Sequence, residues 1–263
     1  MKRDVFGRAR PFALSAALAL ALSGVGRADI APPPPAEPTP ATPAETTPAP
    51  SEAPVDPAAA KAAALAIKES DIGLGDPNAR VKWIEYASSG CPHCADLSLK
   101  VLPALKADYI DSGKVYYVLR DFPLDNVAAA ATVIARCLPK EQFYPFMDKL
   151  FANQMTWHGP ETTDPKAALV ALAAEAGLDS AGVDACLARQ DILDQVIAVV
   201  KEADAVLKVA STPTNFIGDQ VIEGTAPLDQ FKAALDKALG EASGGMTPAP
   251  ETTPAQSTPA PTP

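Results

Sequence analysis

Hydrophobic residues in the middle of the chain follow first a strand pattern and then a helix pattern. The stretch ARVKWIEYA at residues 79–87 is rich in β-branched and aromatic residues and predicts a buried strand. Apolar residues then recur at helical spacing from Leu97 to Tyr109, which predicts a helix kinked at Pro103. A second β-rich run, KVYYVLRDF at residues 114–122, completes a strand–helix–strand unit with parallel strands.

The second half of the chain is helical before strands return. Residues 125–210 are rich in alanine, carry apolar residues at helical spacing and contain no strand pattern. Two short β-rich runs, at 214–217 and 220–224, flank a Gly-Asp turn and predict a hairpin. A last amphipathic helix is expected from about Pro227. The pattern therefore indicates an α/β domain with a helical insertion at about residues 125–210.

Both ends of the chain lack this periodicity. A basic start, an apolar run and small residues up to Ala28 predict a cleaved export signal at residues 1–28, with an uncleaved anchor as the alternative. Residues 29–57 and 244–263 hold eleven and six of the 28 prolines, and we expect a disordered linker and a disordered tail there. The remaining residues, 58–243, are expected to form one domain. The export signal predicts a location in a bacterial periplasm, a compartment in which disulfides persist.

The charge of the chain limits its partners. The formal net charge is −10 at pH 7, and the predicted signal peptide removes mainly positive charge. Such an acidic surface argues against nucleic acid and anionic membranes as partners, although it does not identify a substrate.

The sequence GCPHCADL at residues 90–97 contains the strongest chemical motif, a pair of cysteines two residues apart. A structural zinc site needs four ligands, but Cys137, Cys186 and His158 are single and distant, so no metal site is predicted. A structural bridge between Cys91 and Cys94 would close a very small ring and stabilise the fold little.

A redox pair fits the position of these cysteines, which follow a buried strand and begin a helix. The unpaired N–H groups and positive end of the helix favour a thiolate at Cys91. His93 offers a donor or a positive charge, and both effects lower the pKa of Cys91, which we expect to be exposed. Cys94, one turn further, is expected to be the buried resolving thiol. Because the reduced pair is stabilised as thiolate, its disulfide should be a good disulfide donor.

The strand–CPHC–helix unit, the helical insertion, the segment STPTNF before a hairpin and the export signal together resemble the DsbA family over residues 70–240. This resemblance implies a thioredoxin fold with an inserted helical domain and a thiol:disulfide oxidoreductase. It also implies an oxidase that acts on unfolded or reduced exported proteins and is reoxidised by a membrane quinone oxidoreductase resembling DsbB. We expect a monomer with no bound cofactor.

The same resemblance assigns further site residues. It places a cis-proline at Pro213, with the Thr212 backbone beside Cys91 to pair with a substrate chain. It places a buried acid at Glu85, where a carboxylate near Cys94 could relay protons; the alternative is an ordinary satisfied polar residue. Threonine at position 212 is more typical of the isomerase branch, so a reductase or isomerase remains an alternative. However, the Pro-rich extension resembles no folded dimerisation domain.

The other two cysteines depart from the best-known member of the family. If Cys91 pairs with Cys94, then Cys137 and Cys186 are left to pair, closing a loop of about 50 residues worth roughly 4 kcal/mol in the chain-entropy model. A structural disulfide is expected, with free thiols or a regulatory bridge as alternatives. A non-enzymatic metal-binding or envelope-tethering protein is the alternative from a different functional class.

Overall fold

The computed structural model describes residues 56–244. The predicted signal peptide, the linker up to residue 55 and the tail from residue 245 lie outside the described residues. The helices are α1 Pro57–Leu65, α2 Pro92–Asp96, α3 Leu102–Leu105, α4 Asn126–Cys137, α5 Lys140–Ala152, α6 Gln154–Trp157, α7 Pro165–Ala174, α8 Ser180–Leu187, α9 Gln190–Glu202 and α10 Leu228–Gly244. The strands are β1 Gly73–Leu74, β2 Val81–Ala87, β3 Val115–Asp121, β4 Thr214–Ile217 and β5 Gln220–Glu223.

The strands form one mixed sheet in the order β1-β3-β2-β4-β5. β2 and β3 are parallel, as the strand–helix–strand pattern predicts, and β4 and β5 form the predicted antiparallel hairpin. β4 also pairs antiparallel with β2, which makes β2 the central strand. All seven residues of β3 are buried, which explains its continuous apolar pattern.

The helical insertion predicted from the sequence is confirmed. Residues 122–213 are all described and contain six α-helices, α4 to α9, and no strand. Cys137, the last residue of α4, forms a disulfide with Cys186 in α8, with the two Cα atoms 5.7 Å apart. The disulfide therefore joins two helices of the insertion.

The helix after the cysteine pair is interrupted, although not by a simple kink. π-helical turns at Leu97–Val101 and Lys106–Ile110 flank the short helix α3, which has Pro103 in its first turn. Proline lacks an N–H donor and its ring crowds the preceding turn, so it fits best at the start of an α-helical segment. The wider π turns accommodate this residue.

The first elements, α1 and β1, were not predicted. Pro57 begins α1, and the side chain of Asp56 caps this helix by accepting a hydrogen bond from the Ala58 amide. Pro57 therefore belongs to the domain and not to the linker. At the other end α10 includes Gly244, which the sequence assigned to the tail.

The side chain of Arg120 on β3 holds the N-terminal segment against the sheet. Its guanidinium, 1% exposed, donates to the carbonyl oxygens of Ala64 and Ala66 at 2.6 Å each and pairs with the carboxylate of Asp71 at 2.7 Å. A buried charge of this kind needs an ionic partner and full hydrogen bonding, and Arg120 has both. The domain consequently begins about 15 residues before β1.

Aromatic side chains form the centre of the core beneath the cysteine pair. The ring of Trp83 on β2 lies 4.9 Å from that of Tyr117 and 5.4 Å from that of Phe231. The Trp83 indole N–H donates to Asn215 Oδ1 on β4 at 2.8 Å, which satisfies both buried polar groups.

In the described part of the chain, no helix combines the length and apolar composition that a membrane span requires.

Candidate active site

Cys91 lies where the central strand passes into a helix. β2 ends at Ala87, and Cys91 is the N-cap residue of α2, with Pro92 at the first helical position. Proline suits this position because its missing N–H has no intrahelical partner there. Both Cys91 and Cys94 are free thiols in the structure. Cys94 is fully buried, but Cys91 is also only 6% exposed, so the expectation of an exposed Cys91 is wrong.

The surroundings of Cys91 favour its thiolate. A hydrogen bond from the Cys94 thiol is the largest effect that lowers the pKa of Cys91 to about 5, and it outweighs the opposing effect of burial. Donation from Thr212 and from the backbone N–H groups of Cys94 and His93 lowers it further. The helix start therefore supplies the donors that the sequence predicted.

The surroundings of Cys94 have the opposite effect. Burial raises the pKa of the Cys94 thiol well above its usual value. The hydrogen bond that it donates to Cys91 and the negative charges of Glu85 and Cys91 act in the same direction. The two thiols thus differ sharply in acidity, with Cys91 ionised near neutral pH and Cys94 protonated.

Thr212 and Pro213 reach the cysteine pair from the loop that enters β4, the strand paired with β2. The Thr212–Pro213 peptide bond is cis, and the Cys91 thiol donates to the Thr212 carbonyl oxygen at 3.3 Å. The Thr212 hydroxyl is buried and has no hydrogen-bond partner among the described residues, so it can donate to the thiolate. This loop therefore borders the nucleophile with a backbone carbonyl and a hydroxyl.

Glu85 on β2 is a buried acid beneath the pair, with 1% of its surface exposed. Its Oε2 atom accepts a hydrogen bond from the Tyr117 hydroxyl at 2.6 Å. Burial raises the pKa of Glu85 to about 7, the Tyr117 hydrogen bond opposes this, and the Cys91 charge adds to it. The acid can therefore gain or lose a proton near neutral pH.

His93 lies differently from the sequence expectation. Its side chain is exposed, and Nδ1 lies 2.8 Å from the Thr225 hydroxyl in the loop before α10. Among the leading causes that lower the pKa of Cys91, His93 contributes its backbone N–H and not its imidazole. An effect of the His93 side chain on Cys91 stays a prediction.

Sequence reasoning missed Gln154, which links the insertion to the active-site loop. Its side-chain amide, in the first turn of α6, donates to the carbonyl oxygens of Ser89 at 2.6 Å and Cys91 at 3.0 Å. The His158 ring packs against Gly90, where an added Cβ would come within 2.8 Å of it. His158 also pairs with Asp125, the N-cap residue of α4, at 2.7 Å. A glutamine far along the chain carries no sequence signal for such contacts.

Within residues 56–244, no group of three or more His, Cys, Asp or Glu side chains is arranged to hold an ion. Cys137 and Cys186, the other cysteines that could act as ligands, are joined to each other.

A family profile described as thioredoxin matches residues 68–237, about two thirds of the chain. The chain is a DsbA-like member of the thioredoxin family. The crystal structure of Wolbachia pipientis alpha-DsbA1 is 29% identical and superposes with a TM-score of 0.63, covering 68% of this chain and 96% of that one. The predicted fold class, a thioredoxin fold with a helical insertion, is thereby confirmed.

Curated relatives of this DsbA-like protein are named for disulfide chemistry. A Rickettsia bellii protein named as a protein-disulfide oxidoreductase is 29% identical over 176 residues, which cover 66% of this chain and 67% of that relative. Disulfide bond formation protein D of Bacillus subtilis is 24% identical over 174 residues, which cover 63% of this chain and 76% of that relative. The predicted enzyme class, thiol:disulfide oxidoreductase, is confirmed.

Proposed function

We propose that this DsbA-like protein is an exported thiol oxidase that introduces disulfide bonds into reduced or unfolded exported proteins. The observation that carries the proposal is the contrast between Cys91, whose pKa falls to about 5, and the buried Cys94, whose pKa rises. A stabilised Cys91 thiolate favours the reduced enzyme over its disulfide. The disulfide form is then a strong oxidant of substrate thiols.

The proposed reaction begins when a substrate thiolate attacks Cys91 Sγ of the oxidised pair. The Cys91–Cys94 bond breaks, Cys94 leaves as a thiolate and takes up a proton, and a mixed disulfide forms on Cys91. A second substrate thiolate then attacks the substrate sulfur of that mixed disulfide. The substrate leaves oxidised, and the enzyme leaves with Cys91 as thiolate and Cys94 as thiol.

The remaining site residues support this reaction in distinct ways. The Thr212 backbone before Pro213 offers an edge with which an extended substrate chain can pair. Glu85 is proposed to exchange the proton of Cys94, since both groups are buried and its carboxyl titrates near neutral pH. His93 is proposed to assist the Cys91 thiolate when protonated. The Cys137–Cys186 disulfide is proposed to be a structural link within the insertion.

Reoxidation needs a second partner. We propose a membrane quinone oxidoreductase resembling DsbB, which would accept the electrons from the reduced pair in the periplasm. The enzyme itself would act as a monomer without a bound cofactor, because the chemistry uses only its two thiols. The acidic composition, with a net charge of −10, argues against a nucleic-acid partner.

A reductase or isomerase is the second candidate, and Thr212 is the observation that favours it. A hydroxyl beside Cys91 can stabilise the thiolate, but it also gives this loop the residue that is more typical of the isomerase branch. The two functions share the same exchange chemistry and differ in the redox state in which a partner keeps the pair.

Thiol trapping in cells distinguishes these functions. Cells of the native host are quenched with acid, free thiols are alkylated, and the redox state of Cys91 and Cys94 is read by mass spectrometry. An oxidase should be mostly oxidised, whereas a pair that is mostly reduced would support the reductase or isomerase and overturn the proposal. Metal analysis of the purified protein tests the remaining alternative, a non-enzymatic metal-binding protein, which predicts a stoichiometric metal ion.

A further inference from the structure

The two carboxylate oxygens of Glu85 have different surroundings. Oε2 accepts the hydrogen bond from the Tyr117 hydroxyl at 2.6 Å. Oε1 is equally buried but accepts no hydrogen bond from any residue between 56 and 244. A buried oxygen without a partner is costly, so a site that retains one calls for a chemical explanation.

The Tyr117 hydroxyl acts as a permanent donor at this position. Burial, together with the negative charge of Glu85, raises the pKa of Tyr117 well above its usual value, so the phenol keeps its proton. In the structure this proton is donated to Oε2. A carbonyl oxygen is a better acceptor than a protonated oxygen, so when the carboxyl group is neutral the Tyr117 hydrogen bond favours its proton on Oε1.

We propose that Tyr117 is a positioning residue that reserves Oε2 of Glu85 as an acceptor and leaves Oε1 as the oxygen that exchanges a proton with Cys94. This inference rests on the proposed function, in which Glu85 serves the thiol pair. In reoxidation, Oε1 of the carboxylate takes the proton of the Cys94 thiol. The Cys94 thiolate then attacks Cys91 Sγ of a mixed disulfide, the Cys91–Cys94 bond forms, and the partner leaves as a thiolate.

Titratable groups from three elements surround Glu85 and its Tyr117 hydrogen bond. Cys91 and Cys94 lie at the start of α2 and Tyr117 on β3, whereas Tyr144 on α5 acts on Tyr117 and is not among the leading causes that shift the pKa of Glu85. Each of these groups is an acid. Burial and the Cys91 thiolate both disfavour ionisation of Glu85, and the Tyr117 hydrogen bond favours it. Tyr117 therefore favours the proton on Oε1 and lowers the pH at which it leaves.

The experiment is a single-turnover oxidation of the reduced protein by excess oxidised glutathione between pH 5 and 9. Acid quenching and mass spectrometry follow the mixed disulfide on Cys91 and its resolution by Cys94. Because hydrogen bonds to ionised acceptors are stronger than those to neutral ones, Tyr117→Phe should raise the pH midpoint of resolution by about one unit. Resolution at pH 7 should then be about fivefold slower than in the wild type, with the rate recovered at higher pH.

Two further variants distinguish a failure of the positioning role of Tyr117 from a failure of the Glu85 relay. Tyr144→Phe is the matched control, because its buried hydroxyl accepts from the Leu119 amide and donates to the Ile72 carbonyl without contacting Glu85; its midpoint should stay unchanged. Glu85→Gln should abolish the titration. If Glu85→Gln abolishes it but Tyr117→Phe keeps the wild-type midpoint, Tyr117 has no positioning role and the Glu85 relay stands. If Glu85→Gln keeps the wild-type profile, the proposed relay itself fails.

A measurement on the wild-type protein avoids dependence on the folding of Tyr117→Phe. Infrared difference spectra between acid and neutral pH show the carbonyl stretch of protonated Glu85, assigned by its loss in Glu85→Gln. The proposal predicts a carbonyl that accepts one strong hydrogen bond, because Oε2 faces the phenol. A stretch at the frequency of a free carbonyl would place the proton on Oε2 and overturn the proposal.

Discussion

The Cys91 sulfur lies 3.3 Å from the Thr212 carbonyl oxygen, although 121 residues separate the two in the chain. Their proximity follows from the antiparallel pairing of β2 with β4, which aligns Tyr86 with Thr214 near the end of one strand and the start of the other. The loop that leaves β2 and the loop that enters β4 therefore meet at the same end of these two paired strands. In the proposed function, this backbone segment beside Cys91 is the one with which a substrate chain would pair.

Replacing each active-site cysteine separately should give two different defects. Cys91→Ala should abolish oxidation of a reduced test protein, because the acidic thiol carries the exchange. Cys94→Ala also lacks the Cys91–Cys94 disulfide, but its Cys91 thiolate should attack disulfides of partner proteins and accumulate mixed disulfides, since no second thiol of the enzyme resolves them. Oxidase assays with non-reducing gels measure both outcomes, and full activity in Cys91→Ala would refute the assigned roles.

The stability of the reduced enzyme should depend on pH through Cys91. The folded-state pKa of about 5 lies below the unfolded value, so the thiolate stabilises the fold at pH values above the unfolded pKa. This stabilisation should decrease as the pH falls and vanish below about pH 5. The disulfide form lacks this titration. Denaturant unfolding of the reduced and oxidised proteins between pH 4 and 9 measures the difference, and thiolate absorbance should titrate with the same midpoint.

Removing the charge of Glu85 should stabilise the reduced protein at alkaline pH. Because burial raises the folded pKa of Glu85 from 4.5 to about 7, the carboxyl group destabilises the fold progressively between these pH values. The free energy of unfolding of Glu85→Gln, relative to that of the wild type, should therefore rise by about 3 kcal/mol between pH 4 and 8, at about 1.4 kcal/mol per pKa unit. Unfolding free energies under reducing conditions measure this gain. A difference that is constant with pH would mean that Glu85 does not titrate in this range.

The Gln154 side chain should matter more than an ordinary surface glutamine. Gln154→Leu leaves the carbonyl oxygens of Ser89 and Cys91 without their side-chain donor, which should cost about 1–3 kcal/mol of stability. The looser loop should also change the alkylation rate of Cys91. Gln190→Leu, at an exposed position bonded to Asp194, is the matched control and should change neither quantity. Equal effects in the two variants would exclude a specific role for Gln154.

Much of the fold could be predicted because its signals are local. The apolar run of β2, the helical spacing after Leu97 and the turn at Gly218 each depend on neighbouring residues, and the structure contains the corresponding elements. The two-residue strand β1 is too short to produce a period, and α1 lies in an alanine-rich stretch with little amphipathic contrast. Both depend on contacts with β3, which only the folded chain provides.

The sequence by itself determined the reacting groups, since CPHC after a buried strand specifies a thiol pair at a helix start, where backbone N–H groups favour a thiolate. Only the tertiary structure decided how those groups are tuned. The burial of Cys91, the attachment of His93 to Thr225, and the contacts of Tyr117 and Gln154 all join residues distant in sequence. Burial and hydrogen-bond partners set pKa values, and both arise from packing between elements and not from the order of residues within one.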